Sequence, residues 1–362
     1  MTRRRQLLQA GALGTAATFT TSLYAQTRPT VRWRMAALYP RSLDTCYGAT
    51  EQMCKRVGEL TDGKFSITLH PPGDLVPPLQ VLDAVSAGTV EAGQVSGTFY
   101  FGKNPALMFE SGLPFGMNAR QQNAWLYEGG GLKEVQKVFA QFGCHSVPCG
   151  NFGTQMGGWF RKEIKSLKDL EGLKMRIGGF GGQIISRLGV VPQMIPGGDL
   201  YAALEKGVID AAEFVGPYDD EKLGLARVSQ YYYSPGWWEG GSAQVSAVAN
   251  KKAWDALPKD YQTAYEAAAF EANMRQLALY DAKNPDAIKR ILASGVKLRW
   301  FPKDVLDAAY DMTQTMLEEI SAKDAFFKSI YQHYRGFLEK QSSWYRVADQ
   351  FLDNYSLARR AR

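Results

Sequence analysis

Polar and apolar residues alternate over residues 31–36 (Val-Arg-Trp-Arg-Met-Ala), which predicts a strand with one buried face. The period then changes. Ser42 or Asp44 can cap a helix that runs to about residue 60 and stops at Thr61-Asp62-Gly63. A second strand is predicted over 65–69. After Gly73-Asp74-Leu75 a helix opens with Pro77 and Pro78 in its first turn, where proline is tolerated. It stops at Gly88 and passes into a strand over 90–95. The second half repeats this order, with strand 175–177, helix 181–188, strand 190–195, helix 200–206 and strand 209–215. Gly198-Asp199-Leu200 leading to Gly207-Val208-Ile209 echoes Gly73-Asp74-Leu75 leading to Gly88-Thr89-Val90. Alternating strands and helices give open α/β sheets, and two similar halves predict two lobes with a cleft between them.

Beyond Lys251 the pattern turns helical. Pro258 opens an Ala-rich helix predicted to reach about residue 283 and to end before Pro285, and a short strand follows at 296–300. From Pro302 onward the apolar positions fall on helical stripes: Val305, Leu306, Ala309, Met312, Met316, Leu317 and Ile320, then Phe337, Trp344, Val347, Phe351 and Leu352. Such stripes either pack on the lobes or face a partner helix, and the pattern leaves both open. The expected division is a leader over 1–25, a first lobe over 27–150 with return segments at about 237–300, a second lobe over 151–236, and C-terminal helices over 302–362.

At 45% hydrophobic and 22% charged, the composition is that of an ordinary globular protein. The formal charge of +6 includes Arg3, Arg4 and Arg5, and the leader holds no acid, so processing would leave +3. That balance is too mild to suggest a nucleic-acid partner. The leader itself has a basic start, an apolar stretch from Ala10 to about Ser22, and a plausible cleavage site at Leu23-Tyr24-Ala25. Arg4-Arg5-x-Leu-Leu resembles a twin-arginine export signal, although three arginines also serve the general secretory route. No later stretch has the ~18–20 apolar residues of a membrane span, and no Cys follows the apolar stretch to carry a lipid, so the mature chain is expected in the periplasm.

Disulfides are permitted there, but the spacing opposes them. Cys46 and Cys54 lie eight residues apart on one predicted helix, about 12 Å along its axis. Cys144 and Cys149 lie on an extended segment, and Cys144-His145 with Cys149 fits no common zinc spacing. His70, His145 and His333 are scattered.

Candidate chemistry sits in a different class of residue. Gln155-Met156-Gly157-Gly158-Trp159-Phe160, Met175-Arg176-Ile177-Gly178-Gly179, Ala212-Glu213-Phe214-Val215-Gly216 and Trp237-Trp238-Glu239-Gly240-Gly241 each set one amide, cation or carboxylate in an apolar run beside Gly. Such groups are costly to bury unless paired, and Gly lets a backbone or ligand approach. Arg176 suits bidentate capture of a carboxylate, and Gly178-Gly179 leaves room for a ligand. Arg176 and Glu213 also fall near strand ends, where ligands bind in open α/β sheets. Glu213 would repel an anion unless a cation lay between them, and Glu213, the Phe214 carbonyl, Gln155 and Glu239 supply the oxygen donors that a hard cation accepts. A plain buried Arg176–Glu213 ion pair explains the same residues equally well. Phe99, Tyr100, Trp159, Phe180, Tyr231–Tyr233, Trp237 and Trp238 read mostly as core, with a few available for a pocket wall. Gly178-Gly179-Phe180-Gly181-Gly182 lacks both the dinucleotide fingerprint and the Walker lysine, and no Ser-His-Asp or Cys-His arrangement is apparent.

Four runs carry a family resemblance: Gln155-Met156-Gly157-Gly158-Trp159-Phe160-Arg161, Gly172-Leu173-Lys174-Met175-Arg176, Gly216-Pro217-Tyr218-Asp219-Asp220-Glu221-Lys222-Leu223-Gly224 and Tyr232-Tyr233-Ser234-Pro235-Gly236-Trp237-Trp238-Glu239-Gly240-Gly241. They resemble the solute receptors of tripartite ATP-independent periplasmic (TRAP) transporters, and most of all the subgroup that binds 2-oxo acids such as pyruvate, or lactate, with a metal ion. The resemblance implies a two-lobe α/β solute-binding fold with a ligand cleft, a long helix spanning both lobes, and delivery to a sodium-driven membrane permease. It implies that Arg176 holds the substrate carboxylate and that Gln155, Glu213, the Phe214 carbonyl and Glu239 surround Na⁺ or Ca²⁺. Gln155, Phe214 and Glu239 would also meet the substrate, with Asn151 and Thr154 lining the cleft. It further implies a homodimer through the C-terminal helix. The subgroup often carries Trp after the glutamate, where this chain has Phe214; a backbone carbonyl survives that change, so it bears on pocket wall and ligand size. An exported α/β enzyme using Arg176 as anchor and Glu213 as base, or a sensor presenting its ligand to a membrane kinase, would use the same cleft. An enzyme would turn its ligand over, and the chain lacks a persuasive acid/base pair.

Overall fold

A computed structural model describes residues 28–360; the leader and the choice of export route fall outside these. The strands are β1 (Val31–Ala36), β2 (Phe65–His70), β3 (Ala92–Val95), β4 (Cys144–Asn151), β5 (Gly158–Phe160), β6 (Lys174–Arg176), β7 (Val191–Gln193), β8 (Ala211–Ala212), β9 (Tyr231–Ser234), β10 (Gln244–Asn250) and β11 (Lys297–Trp300). They form two sheets, of order β2-β1-β3-β10-β4 and β11-β9-β5-β8-β6-β7. β1 pairs parallel with β2 and β3, whereas β10 runs antiparallel to β3 and β4. In the second sheet β6 is parallel to β7 and β8, and β5 is antiparallel to β8 and β9.

The chain passes from one sheet to the other after β4, returns after β9 and crosses again between β10 and β11, and the first two crossings meet. They touch backbone to backbone: the Gly236 amide donates to the Gln155 carbonyl at 3.0 Å, and a Cβ on Gly236 would lie 2.6 Å from that carbonyl. Side-chain alternation feeds two cores, one on each face. Tyr232 and Ala212 enter one core, and their neighbours Tyr233 and Ala211 enter the other.

The 35-residue helix Lys259–Ala293 packs on β4 and on the helix Cys46–Leu60 of the first lobe, and on the short helix Pro217–Lys222 of the second. It runs through Pro285 rather than ending before it. Pro285 is exposed, so the carbonyl it leaves without an amide partner can be hydrated. Asn284, whose Oδ1 accepts from the Tyr218 amide at 3.0 Å, and buried Ala287 and Ile291 anchor the last turns.

Two other expectations are corrected. The first helix starts at Cys46 and neither Ser42 nor Asp44 caps it; the Asp44 carboxylate instead meets Lys222 and the Tyr218 hydroxyl. β11, placed by the sequence in the return segments of the first lobe, pairs in parallel with β9 in the second sheet. Its start at Lys297 continues directly from a helix that has already carried the chain across.

The C-terminal segment forms helices Lys303–Lys323, Ala325–Val347 and Asp349–Arg360. Phe327, Ile330 and Tyr334 are buried in the core, and the Tyr334 hydroxyl accepts from the Met117 amide at 2.8 Å. The last helix buries no residue and leaves Phe351 72% and Leu352 63% exposed.

Candidate functional site

A cavity lies between the lobes. Gln155 from the first crossing, Glu239 from the second, Arg176 from the end of β6, and Glu213 and Phe214 just past β8 all line it. Of the predicted site residues, the structure therefore gathers five.

Asn151 is not among them. It is fully buried at the end of β4, where its amide donates to Gln244 Oε1 at 3.1 Å and its Oδ1 accepts from the Gly153 amide at 2.8 Å. Both ends of the side chain are spent on shaping the crossing. Thr154 is exposed and does not line the cavity either.

Arg176 is only 3% exposed. Its Nε donates to the Ile195 carbonyl at 3.1 Å, and Nη1 donates to the carbonyl of Glu213 and, at 2.9 Å, to Glu213 Oε2. The rings of Phe99 and Phe214 lie 5.8 and 5.6 Å from the guanidinium carbon. No hydrogen bond among the described residues uses Nη2, so that nitrogen is left for the cavity.

The Glu239 carboxylate accepts from Thr98 Oγ1 at 3.2 Å and from Gln155 Nε2 at 3.0 Å. This turns the donor end of Gln155 to Glu239 and leaves its Oε1 free to bind elsewhere. Burial pushes the Glu239 carboxyl up to about 7. Burial also raises Glu213 well above the ordinary range, with Glu239 and Asp220 adding to the rise and Arg176 opposing it. Two carboxylates thus face one guanidinium, and a ligand carboxylate would make the imbalance worse.

The donors present fit a hard cation. Glu213 keeps one carboxylate oxygen outside its ion pair, Gln155 keeps Oε1, and no hydrogen bond among the described residues ends on the Phe214 carbonyl. All are oxygens, as Na⁺ and Ca²⁺ require.

Sequence reasoning missed the contribution of the first lobe. Tyr39, Ser96 and Thr98 of the first lobe line the cavity with Phe152 of the crossing, and Phe99, read mostly as core, lines it too. Tyr39 stands edge-on to Phe152 and Phe214, with ring centroids 5.7 and 6.5 Å apart. Tyr39 follows the carboxyl end of β1 and Ser96–Phe99 follow that of β3, which is the signal that could have found them. Buried Gln94 and Glu110 hold these loops. Gln94 Oε1 accepts from the amides of Leu38 and Tyr39, and Glu110 Oε2 accepts from the Gly97 amide at 2.6 Å.

Of the Gly178-Gly179 pair, Gly178 lines the cavity as expected, while Gly179 has a different use. Gly179 adopts φ +61°, and a Cβ there would lie 2.0 Å from Thr98 Oγ1. The space it leaves is filled by the first lobe and not by a ligand.

With this geometry in view, the comparisons are consistent. The family model of DctP, the bacterial extracellular solute-binding protein family 7, matches residues 37–324. A monocarboxylate 2-oxoacid-binding periplasmic protein of Nostoc sp. is 49% identical, over 98% of this chain and 99% of its own length. A TRAP transporter solute-binding protein of Bordetella bronchiseptica, a mixed-occupancy dimer with copurified calcium and picolinate, superposes with a TM-score of 0.91 at 56% identity, covering 92% of this chain and 99% of its own. A TRAP solute-binding protein of Pseudoalteromonas atlantica with bound sodium and pyruvate gives 0.86 at 36% identity, over 90% of this chain and 99% of its own. No helix of the described residues is long and apolar enough to cross a membrane. A family match over most of the chain, together with the two-lobe fold, shows that this chain belongs to DctP, the bacterial extracellular solute-binding protein family 7, and is a solute receptor of the TRAP type.

Proposed function

We infer that this chain captures a small monocarboxylate, a 2-oxo acid such as pyruvate or else lactate, together with Na⁺ or Ca²⁺, and delivers it in the periplasm to a TRAP membrane permease. One observation carries the reading: a buried arginine with an unused nitrogen shares a small aromatic-walled cavity with two buried carboxylates. Arg176 takes the ligand carboxylate, and the free Nη2 supplies the donor. Gln155, Glu213, the Phe214 carbonyl and Glu239 hold the cation, whose positive charge lets an acid enter a site already rich in carboxylate. The rings of Tyr39, Phe99, Phe152 and Phe214 exclude water and limit the length of the acid. The family supports permease partnership and periplasmic location, and the leader expected over residues 1–25 supports the latter. The bare apolar last helix supports a homodimer in which that helix packs on a second copy, as does the dimeric Bordetella relative. A thermal-shift screen of short 2-oxo and 2-hydroxy acids with Na⁺ or Ca²⁺ varied tests the reading, since a ligand of the native state must raise the melting temperature. Recovery of the acid unchanged after incubation separates a receptor from an enzyme.

A further inference from the structure

Asp219 and Asp220 stand side by side in the helix Pro217–Lys222, 0% and 1% exposed, and neither lines the cavity. Two consecutive buried acids are costly unless each has its own donors. Asp220 finds them in the second lobe. Its Oδ2 accepts from the Trp159 indole at 2.9 Å and the Tyr232 hydroxyl at 2.6 Å, and its Oδ1 faces the Val215 amide at 3.4 Å, next to Phe214. Asp219 points the other way. Its Oδ1 accepts from the Thr45 hydroxyl at 2.5 Å, and its Oδ2 accepts from Cys46 Sγ at 3.3 Å and from the Tyr280 hydroxyl. Thr45 and Cys46 begin the first helix of the first lobe, and Tyr280 lies on the spanning helix.

We propose that Asp219 is a positioning residue for ligand capture: it draws the first lobe onto the second and, through Asp220, passes that placement to the loop bearing Glu213 and the Phe214 carbonyl. Moving the lobes apart at this edge strips a buried carboxylate of its Thr45 and Cys46 donors, and an unsatisfied buried acceptor costs more than the hydrogen bond was worth. The contact therefore favours the lobes together. Apparent affinity scales with the population of the competent arrangement, so a residue outside the cavity sets it. Asp44 runs a second, exposed tie alongside, to Lys222 and to the Tyr218 hydroxyl.

The inference rests on the function proposed above, so its test has one arm that needs no ligand. Thr45→Val and Asp219→Asn are made in the mature chain, and binding of pyruvate with Ca²⁺ is measured by calorimetry. In parallel, nitroxides on Lys64→Cys and Lys206→Cys, exposed sites on opposite lobes, report the interlobe distance by pulsed electron resonance. Each variant is expected to raise Kd about tenfold, the worth of a hydrogen bond to a charged group, and to lengthen the mean distance in the ligand-free protein. The double variant should be no weaker than the worse single one. Distances and Kd equal to those of the parent protein overturn the proposal. So does lost affinity at unchanged distance, because Asp219 would then act on the pocket without moving a lobe. If the parent protein itself ignores pyruvate, the proposed function fails and the distance alone decides on Asp219. Thr45→Val leaves every group of the second lobe in place and carries the test if Asp219→Asn does not fold.

Discussion

Arg176 Nη1 donates both to the carboxylate of Glu213, at 2.9 Å, and to the backbone carbonyl of the same residue. With side-chain exposures of 3% and 8%, this is a buried ion pair, so removing one partner leaves the other charge stranded. The pair occupies one of three guanidinium nitrogens and one of two carboxylate oxygens. Ion pair and ligand site are therefore compatible readings of the same two residues.

Arg176→Ala is expected to abolish binding of a 2-oxo acid in calorimetry while the protein still folds. Glu213, already pushed up by burial, can take a proton and so limit the cost of losing its partner. Arg176→Lys is expected to fail as well, because an ammonium cannot hold Glu213 and a ligand carboxylate in one plane. Near-parental affinity in Arg176→Ala would place the site elsewhere.

The helix Asp349–Arg360 exposes Phe351, Leu352 and Tyr355 on one face. A patch of that kind marks an interface. Ending the chain after Ala348 removes this helix without touching Phe327, Ile330 or Tyr334, which a cut near Pro302 would tear from the core. The intact protein should scatter light as a dimer at micromolar concentration and the shortened one as a monomer. A monomeric intact protein rejects the dimer.

The order of strands and helices was legible because each apolar period was bounded by Gly, Pro or a capping residue. Where the reading failed, a tertiary contact had replaced a local rule. Asp44 looks like a helix cap, but Lys222 and Tyr218 of the other lobe hold it. Pro285 looks like a stop, but Asn284, Ala287 and Ile291 carry the helix past it. Arg176, Glu213, Gln155 and Glu239 stood out as charged or amide groups in apolar runs, and the cavity gathers them. Tyr39 and Thr98 did not stand out, since an aromatic or hydroxyl residue after a strand is unremarkable until the opposite lobe faces it. Asn151 has the right chemistry and the wrong direction, and only the crossing it braces reveals that.

Stability should fall as pH rises from 4.5 towards 7 through Glu110. Its ordinary value is 4.5, and burial lifts it to about 7 against the pull of Ser246, Gly97 and Ser111. The folded protein thus keeps a proton that the unfolded chain has already released. The contribution is complete below about 4.5 and is lost as pH passes 7, about 3 kcal/mol in all. Urea unfolding at pH 5 and 7.5 should show a smaller decline for Glu110→Gln than for the parent protein, because the amide does not titrate. Parallel declines would mean that Glu110 stays ionised throughout.

Binding should depend on a cation held at Glu213. A ligand carboxylate on Arg176 comes close to Glu213, and two unit negative charges ~4 Å apart repel by about 4 kcal/mol at an effective dielectric of 20. Glu239, on the same cavity and lifted to about 7, becomes a second negative neighbour once it ionises. Arg176 offsets only one of these charges. Shared oxygen coordination by Gln155, Glu213, the Phe214 carbonyl and Glu239 would turn the repulsion into attraction. Glu213→Gln should therefore lose cation affinity and, by linkage, acid affinity as well. A pure ion pair predicts the reverse, since freeing Arg176 of Glu213 would let the acid bind as well or better. Titrating pyruvate into chelator-treated protein, with and without Na⁺ or Ca²⁺, separates the two. Equal affinity in the presence and absence of metal would remove the cation from the site and leave Glu213 as the structural partner of Arg176.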